Sequence, residues 1–224
     1  MTIDASAKAR AATILARLDR LPSTRYMWRM IAILSLGGMF ELYDLFMTAY
    51  VVPGLVKAGL LKDVAVGIFA GPALFVAATF TGLFIGTMFF GYIADKYGRR
   101  TIFTFSMLWY SAATLVMAFQ TTGLGVSAWR LIAGIGIGVE LVTIDTYLSE
   151  LVPKAIRGRA FAFNQTVQFC VVPVVALISF LLVPISPFGF EGWRWVVLIG
   201  STGALAVWVI RLGLPESPRW LLNQ

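Results

Sequence analysis

The chain has 224 residues, of which 59% are hydrophobic and 13% charged, with a formal net charge of +7. A water-soluble domain of this size could not cover so much apolar surface with so few charges, so the composition reads as an all-α membrane protein. Histidine is absent and cysteine occurs once. That excludes His-based metal sites and an internal disulfide, and no Cys cluster offers an alternative.

A bilayer core of about 30 Å asks for about 20 apolar residues per helix. Six stretches meet that requirement, over 30–52, 66–92, 101–121, 126–151, 160–184 and 194–214. Residues 1–29 precede them as a cytoplasmic lead-in. There Ile14, Leu15, Leu18 and Leu21 interleave with Arg17 and Arg20, a pattern that fits a short surface helix or a solvated tail. No small-residue cleavage site marks a signal peptide.

The first predicted span carries Glu41 and Asp44, one helical turn apart. Charge at bilayer depth is costly and is a functional hypothesis by default. Counting 1.5 Å per residue, Asp44 lies about 21 Å above the inner edge. Glu41 sits near the bilayer centre, either as a proton or substrate-cation contact or as a protonated, hydrogen-bonded acid. Glycines crowd the second and fourth spans (Gly82, Gly86, Gly91; Gly134, Gly136, Gly138), as close backbone packing of helices requires.

Between the second and third spans runs Gly91-Tyr-Ile-Ala-Asp95-Lys-Tyr-Gly98-Arg99-Arg100, a short turn with one acid and three bases. The fourth span holds Arg130, Glu140 and Asp145. Arg130 falls about 24 Å from the inner edge, level with Asp44 if the two helices touch. The two could then form a proton switch or a static buried pair. Glu140 and Asp145 are about 140° apart on their helix, so both cannot face one spot. Tyr147, Glu150, Pro153, Arg157 and Gly158 follow, then Gln165 and Gln168 in the fifth span. Pro215-Glu216-Ser-Pro-Arg219 comes after the sixth.

The basic residues alternate between loops. They gather in the first segment, at Lys96, Arg99 and Arg100, at Lys154, Arg157 and Arg159, and at Arg211 and Arg219, which are read as following the sixth span. The remaining loops carry only Lys57, Lys62 and Arg194. This is the positive-inside pattern and predicts both termini in the cytoplasm of a multi-pass plasma-membrane protein. It also accounts for the positive charge without a nucleic-acid partner. Asp95, Glu150 and Glu216, interleaved with Arg99, Arg100, Arg157 and Arg219, predict an ion-paired joint that locks helix ends and separates when they move.

The 91–100 string resembles the signature of the major facilitator superfamily, G-x-x-x-D-[RK]-x-G-[RK]-[RK], at every specified position. Arg130 with Gly134, Gly136 and Gly138, the 147–158 string and the 215–219 string resemble its sugar-porter branch. Around Phe40-Glu-Leu-Tyr43-Asp44 the chain looks more like the metabolite:proton symporters of that branch. The resemblance implies the amino-terminal six-helix half of a twelve-helix fold, joined to a second half in the same chain or another subunit. It implies a proton-coupled carrier of a sugar or a small organic or aromatic acid, with protons as co-substrate and no cofactor. Asp44, Arg130 and Glu41 become candidates for coupling, and Gln165, Gln168, Glu140 and Tyr43 for substrate contact. Gly91, Asp95, Gly98, Arg99, Arg100, Glu150, Arg157, Glu216 and Arg219 become candidates for the gate. A non-transporting sensor or a facilitative uniporter is the alternative. An enzyme is not expected, because the sequence offers no nucleophile–base set, phosphate-cradling loop or metal cluster.

Overall fold

The computed structural model describes residues 12–14, 16–17 and 19–221, without the side chains at 91, 95, 218 and 219. Leu15 and Leu18 of the predicted surface helix lie outside the described residues, as do the side chains of Asp95 and Arg219 of the predicted joint. Six helical spans are long and apolar enough to cross a membrane. They are α1 (Arg25–Lys57), α2 (Pro72–Tyr97), α3 (Arg99–Ala118), α4 (Gly123–Leu151), a fifth span made of α5 (Arg157–Phe169) and α6 (Val171–Leu182), and α7 (Gly192–Arg211). A short α8 (Pro218–Leu221) closes the described chain.

Two predicted boundaries move. The second span does not start at 66, because residues Ala65–Val66 (β1) and Phe69–Ala70 (β2) pair as a small antiparallel hairpin. Its turn uses Gly67 at φ +60°, and Gly71 at φ +53° re-aims the chain. Pro72 then opens α2, where a missing N–H does no harm. The sixth span runs Gly192–Arg211 and ends three residues before the predicted 214, and Arg211, counted with the bases that follow it, belongs to its last turn and is fully buried. The fifth span breaks at Cys170. Pro173 lacks the N–H that would bond the carbonyl of Phe169, and its ring crowds that carbonyl.

The helices meet in the order α2, α4, α3, α7, α1 and α5–α6, with α1 also touching α4. The α2–α4 contact is the most extensive, and the glycines account for it. A Cβ on Gly82 or Gly86 would strike the carbonyls of Leu131 or Ile135, and one on Gly134 or Gly138 would strike those of Thr79 or Leu83. Backbones therefore touch directly, as small-residue stripes allow. The two outermost spans bury least. The most apolar window of the fifth is 22% buried and that of the second 33%, against 61% for the first and fourth. Phe84 and Met88 on α2 and Leu177 and Phe180 on α6 are among the apolar side chains left outside.

Candidate functional site

Asp44 and Arg130 meet at the centre of the bundle. Arg130 Nη1 lies 2.9 Å from Asp44 Oδ2, and both side chains are buried. Arg130 Nη2 also donates to the Asp44 carbonyl at 2.6 Å and to the Thr48 hydroxyl, while its Nε donates to Thr79 Oγ1 at 3.2 Å. Thr114 donates its hydroxyl to Asp44 Oδ2 at 3.2 Å. The pair thus draws one ligand set from α1, α2, α3 and α4. Thr48, Thr79 and Thr114 were not singled out by sequence reasoning. Thr48 had a signal, since it stands four residues after Asp44 on the same helix face. The other two come from distant spans.

A second buried ion pair joins α4 to α7. Arg211 Nη1 is paired with Glu140 Oε1, with both residues fully buried, and Arg211 Nη2 donates to the Leu34 carbonyl at 2.8 Å. The guanidinium carbon lies 5.2 Å from the centre of the Phe103 ring. The cation is seated on Gly37 of α1, where any Cβ would overlap it. Reading Arg211 as a loop charge is therefore corrected: it is an intramembrane cation with a dedicated acid. Glu41, one turn beyond Gly37, is also buried, and its Oε1 has no partner.

Three of the four predicted substrate contacts are not open. Glu140 is held by Arg211. Tyr43 donates its hydroxyl to the Val196 carbonyl at 2.9 Å, and its ring fills the space left by Gly200. Gln168 is buried against Gly38, whose missing Cβ makes room for its amide. Gln165 alone is exposed. Asn164, unremarked in the sequence, is fully buried with both amide atoms unpartnered.

At one end of the bundle the predicted joint is assembled differently from the expected ladder of arginine–carboxylate pairs. Arg99 Nε lies 3.4 Å from Glu150 Oε1, an ion pair of the expected kind. Glu216, however, accepts from backbone: the N–H groups of Arg100 and Ser217 each lie 3.0 Å from its Oε1. It caps the start of α3, where unpaired N–H groups and the helix dipole favour an anion. Gly98 permits this with φ +96° and by leaving space for the carboxylate. The Arg100 guanidinium donates instead to the Leu212 carbonyl at 2.5 Å. Arg157 donates to the Val152 carbonyl at 3.4 Å. Ser217 donates to Glu150 Oε2 at 2.6 Å, and Tyr147 donates to the Pro215 carbonyl at 2.6 Å. The 215–217 segment is thereby bound to the ends of α3 and α4.

The family model described as sugar (and other) transporter matches residues 30–224. The chain belongs to this transporter family.

Within the family, it is 31% identical over 211 residues to the niacin transporter NiaP of Acinetobacter baylyi, covering 94% of this chain and 46% of that protein. It is 33% identical over 214 residues to the inner membrane metabolite transport protein YgcS of Escherichia coli, covering 93% of this chain and 45% of the relative. The chain spans about half the length of these curated relatives. The fold matches the major facilitator proton:xylose symporter XylE bound to 6-bromo-6-deoxy-D-glucose, with a TM-score of 0.77 and 22% identity over 88% of this chain and 46% of that one. These six helices are thus the amino-terminal half of the major facilitator fold of sugar porters. In this family member, Arg130 and Glu140 of the two buried pairs share α4 with the glycine string, while their partners Asp44 and Arg211 come from α1 and α7.

Proposed function

We propose that this chain is half of a secondary active transporter that moves a small polar metabolite by alternating access, driven by proton symport. The observation that carries this reading is the Asp44–Arg130 pair, a buried acid and base whose ligands come from four helices. Protonating Asp44 would cancel the attraction and release Arg130, so one proton can alter contacts across the bundle. Glu41 is the second acid proposed to take part.

The substrate is a sugar or a small organic or aromatic acid. The transported ligands named for NiaP and XylE, niacin and xylose, span these classes. Gln165 is the proposed contact from this half, because it is the exposed amide on α5. The second half completes the cavity, and the open faces of α2 and α5–α6 favour pairing with it.

The joint of Gly91, Asp95, Gly98, Arg99, Arg100, Glu150, Arg157, Glu216 and Arg219 serves as the cytoplasmic gate. Both termini face the cytoplasm, supported by the excess of lysine and arginine at that end. Uptake of labelled monosaccharides and of labelled nicotinate into proteoliposomes, with and without an inward proton gradient, tests the reading. Gradient-dependent accumulation of one class, abolished by a protonophore, is expected. Equal entry with the gradient collapsed would contradict it.

A further inference from the structure

The Glu140–Arg211 pair is neutral by itself, but Glu41 on the neighbouring face of α1 adds a second buried acid. Glu41 lies four residues after Gly37, on the face of α1 that seats the Arg211 guanidinium. Glu41 is 2% exposed, Tyr110 1%, and Glu140 and Arg211 0%. Each acid retains one buried oxygen without a partner, Glu41 Oε1 and Glu140 Oε2, and the Tyr110 hydroxyl and Arg211 Nε are also unpartnered. Buried polar atoms are nearly always satisfied, so a set of orphans around one ion pair marks a place where something binds. With both acids ionised, two carboxylates face one guanidinium, leaving a net negative charge at bilayer depth. One proton makes the site neutral and supplies a donor for the orphan oxygens.

We propose that Glu41 and Glu140 form a second proton-binding site, one proton held between the two carboxylates beside Arg211, separate from Asp44–Arg130. The ionisable groups within electrostatic reach of Glu41 are Glu140 and Asp145 on α4, Arg211 on α7 and Tyr110 on α3, while the neighbouring fifth span presents the uncharged Gln168 to α1. Asp145 is exposed on another face of α4 and does not compete for Arg211. Tyr110 is within electrostatic reach of Asp44 as well as of Glu41, Glu140 and Arg211. Combined with the proposed symport, and resting on that reading, the chain then has places for two protons.

The proton itself can be observed without transport. Infrared difference spectra of the protein in lipid bilayers, between neutral and alkaline pH, report protonated carboxyl groups by their C=O stretch. The wild type shows such a band. Glu41→Gln removes it, and so does Glu140→Gln, because Glu41 then inherits Arg211 and ionises. Asp44→Asn retains it. Glu41→Asp, which keeps the count of charges, shifts the band without removing it, and so separates loss of the proton from loss of the fold. A band that survives either glutamine substitution, or one that disappears in Asp44→Asn, overturns the proposal. A failure of gradient-driven uptake would leave the band in place, so the two readings fail separately.

Discussion

Arg211 in the last turn of α7 is clamped to Glu140 in the middle of α4, and the floor of its seat is a bare stretch of α1 backbone at Gly37. Three helices converge on one guanidinium. Removing either partner leaves a charge buried without compensation, which costs about 3–5 kcal/mol. Arg211→Ala should therefore lower the thermal midpoint of the purified protein sharply. Arg159→Ala, at an exposed position on α5, should leave it within error. Equal effects would mean that Arg211 is only an orientation charge.

Glycine positions separate by what stands over them. Gly37→Ala, Gly82→Leu and Gly134→Val each drive a side chain into occupied space, with Gly82 and Gly134 facing backbone that cannot yield. Folded yield should collapse in the latter two and fall in the first. Gly158→Ala meets nothing within 4 Å and should stabilise by about 0.5–1 kcal/mol, since alanine suits a helix better than glycine. Size-exclusion yield and thermal midpoints of the series check this order.

The two glutamines should differ in kind. Gln168→Ala empties the space beside Gly38, so its effect belongs on stability. Gln165→Ala leaves packing alone and should raise the substrate concentration for half-maximal uptake several-fold. If Gln168→Ala changed the half-saturation concentration and Gln165→Ala did not, the assignment of the exposed amide to substrate would be wrong.

Sequence periodicity and charge made much of this architecture legible. Apolar length located every span, because the bilayer imposes it locally. The depth estimate that levelled Asp44 with Arg130 needed only the helix rise, and the two residues are in contact. What stayed hidden depends on partners far apart in sequence. Arg211 looked like a loop base because it stands at the end of an apolar run, and only the approach of α4, 71 residues earlier, reveals its acid. Glu216 looked like a partner for arginine side chains, yet the left-handed turn at Gly98 presents it with the backbone start of α3. The hairpin at 65–70 is as apolar as the helix after it, and glycine conformations rather than hydropathy separate them.

That cap makes its own prediction. Glu216→Ala leaves the N–H groups of Arg100 and Ser217 without their acceptor, at a cost of about 1 kcal/mol for a lost helix cap. Turnover should slow with little change in half-saturation, and Glu216→Gln, which keeps an acceptor oxygen, should recover part of the rate. Arg99→Ala, which breaks the contact with Glu150, should behave in the same direction. A large loss of apparent affinity at normal turnover would place these residues in the binding site instead.

The Asp44–Arg130 pair is the centre of the account, and Asp44→Asn addresses it most directly. The protein reconstituted in liposomes would be assayed twice with the same substrate, once for uphill uptake under an imposed proton gradient and once for counterflow with no gradient. Loss of uphill accumulation with counterflow retained is the predicted result. Uphill uptake at the wild-type level in Asp44→Asn would contradict the assignment of this acid to coupling.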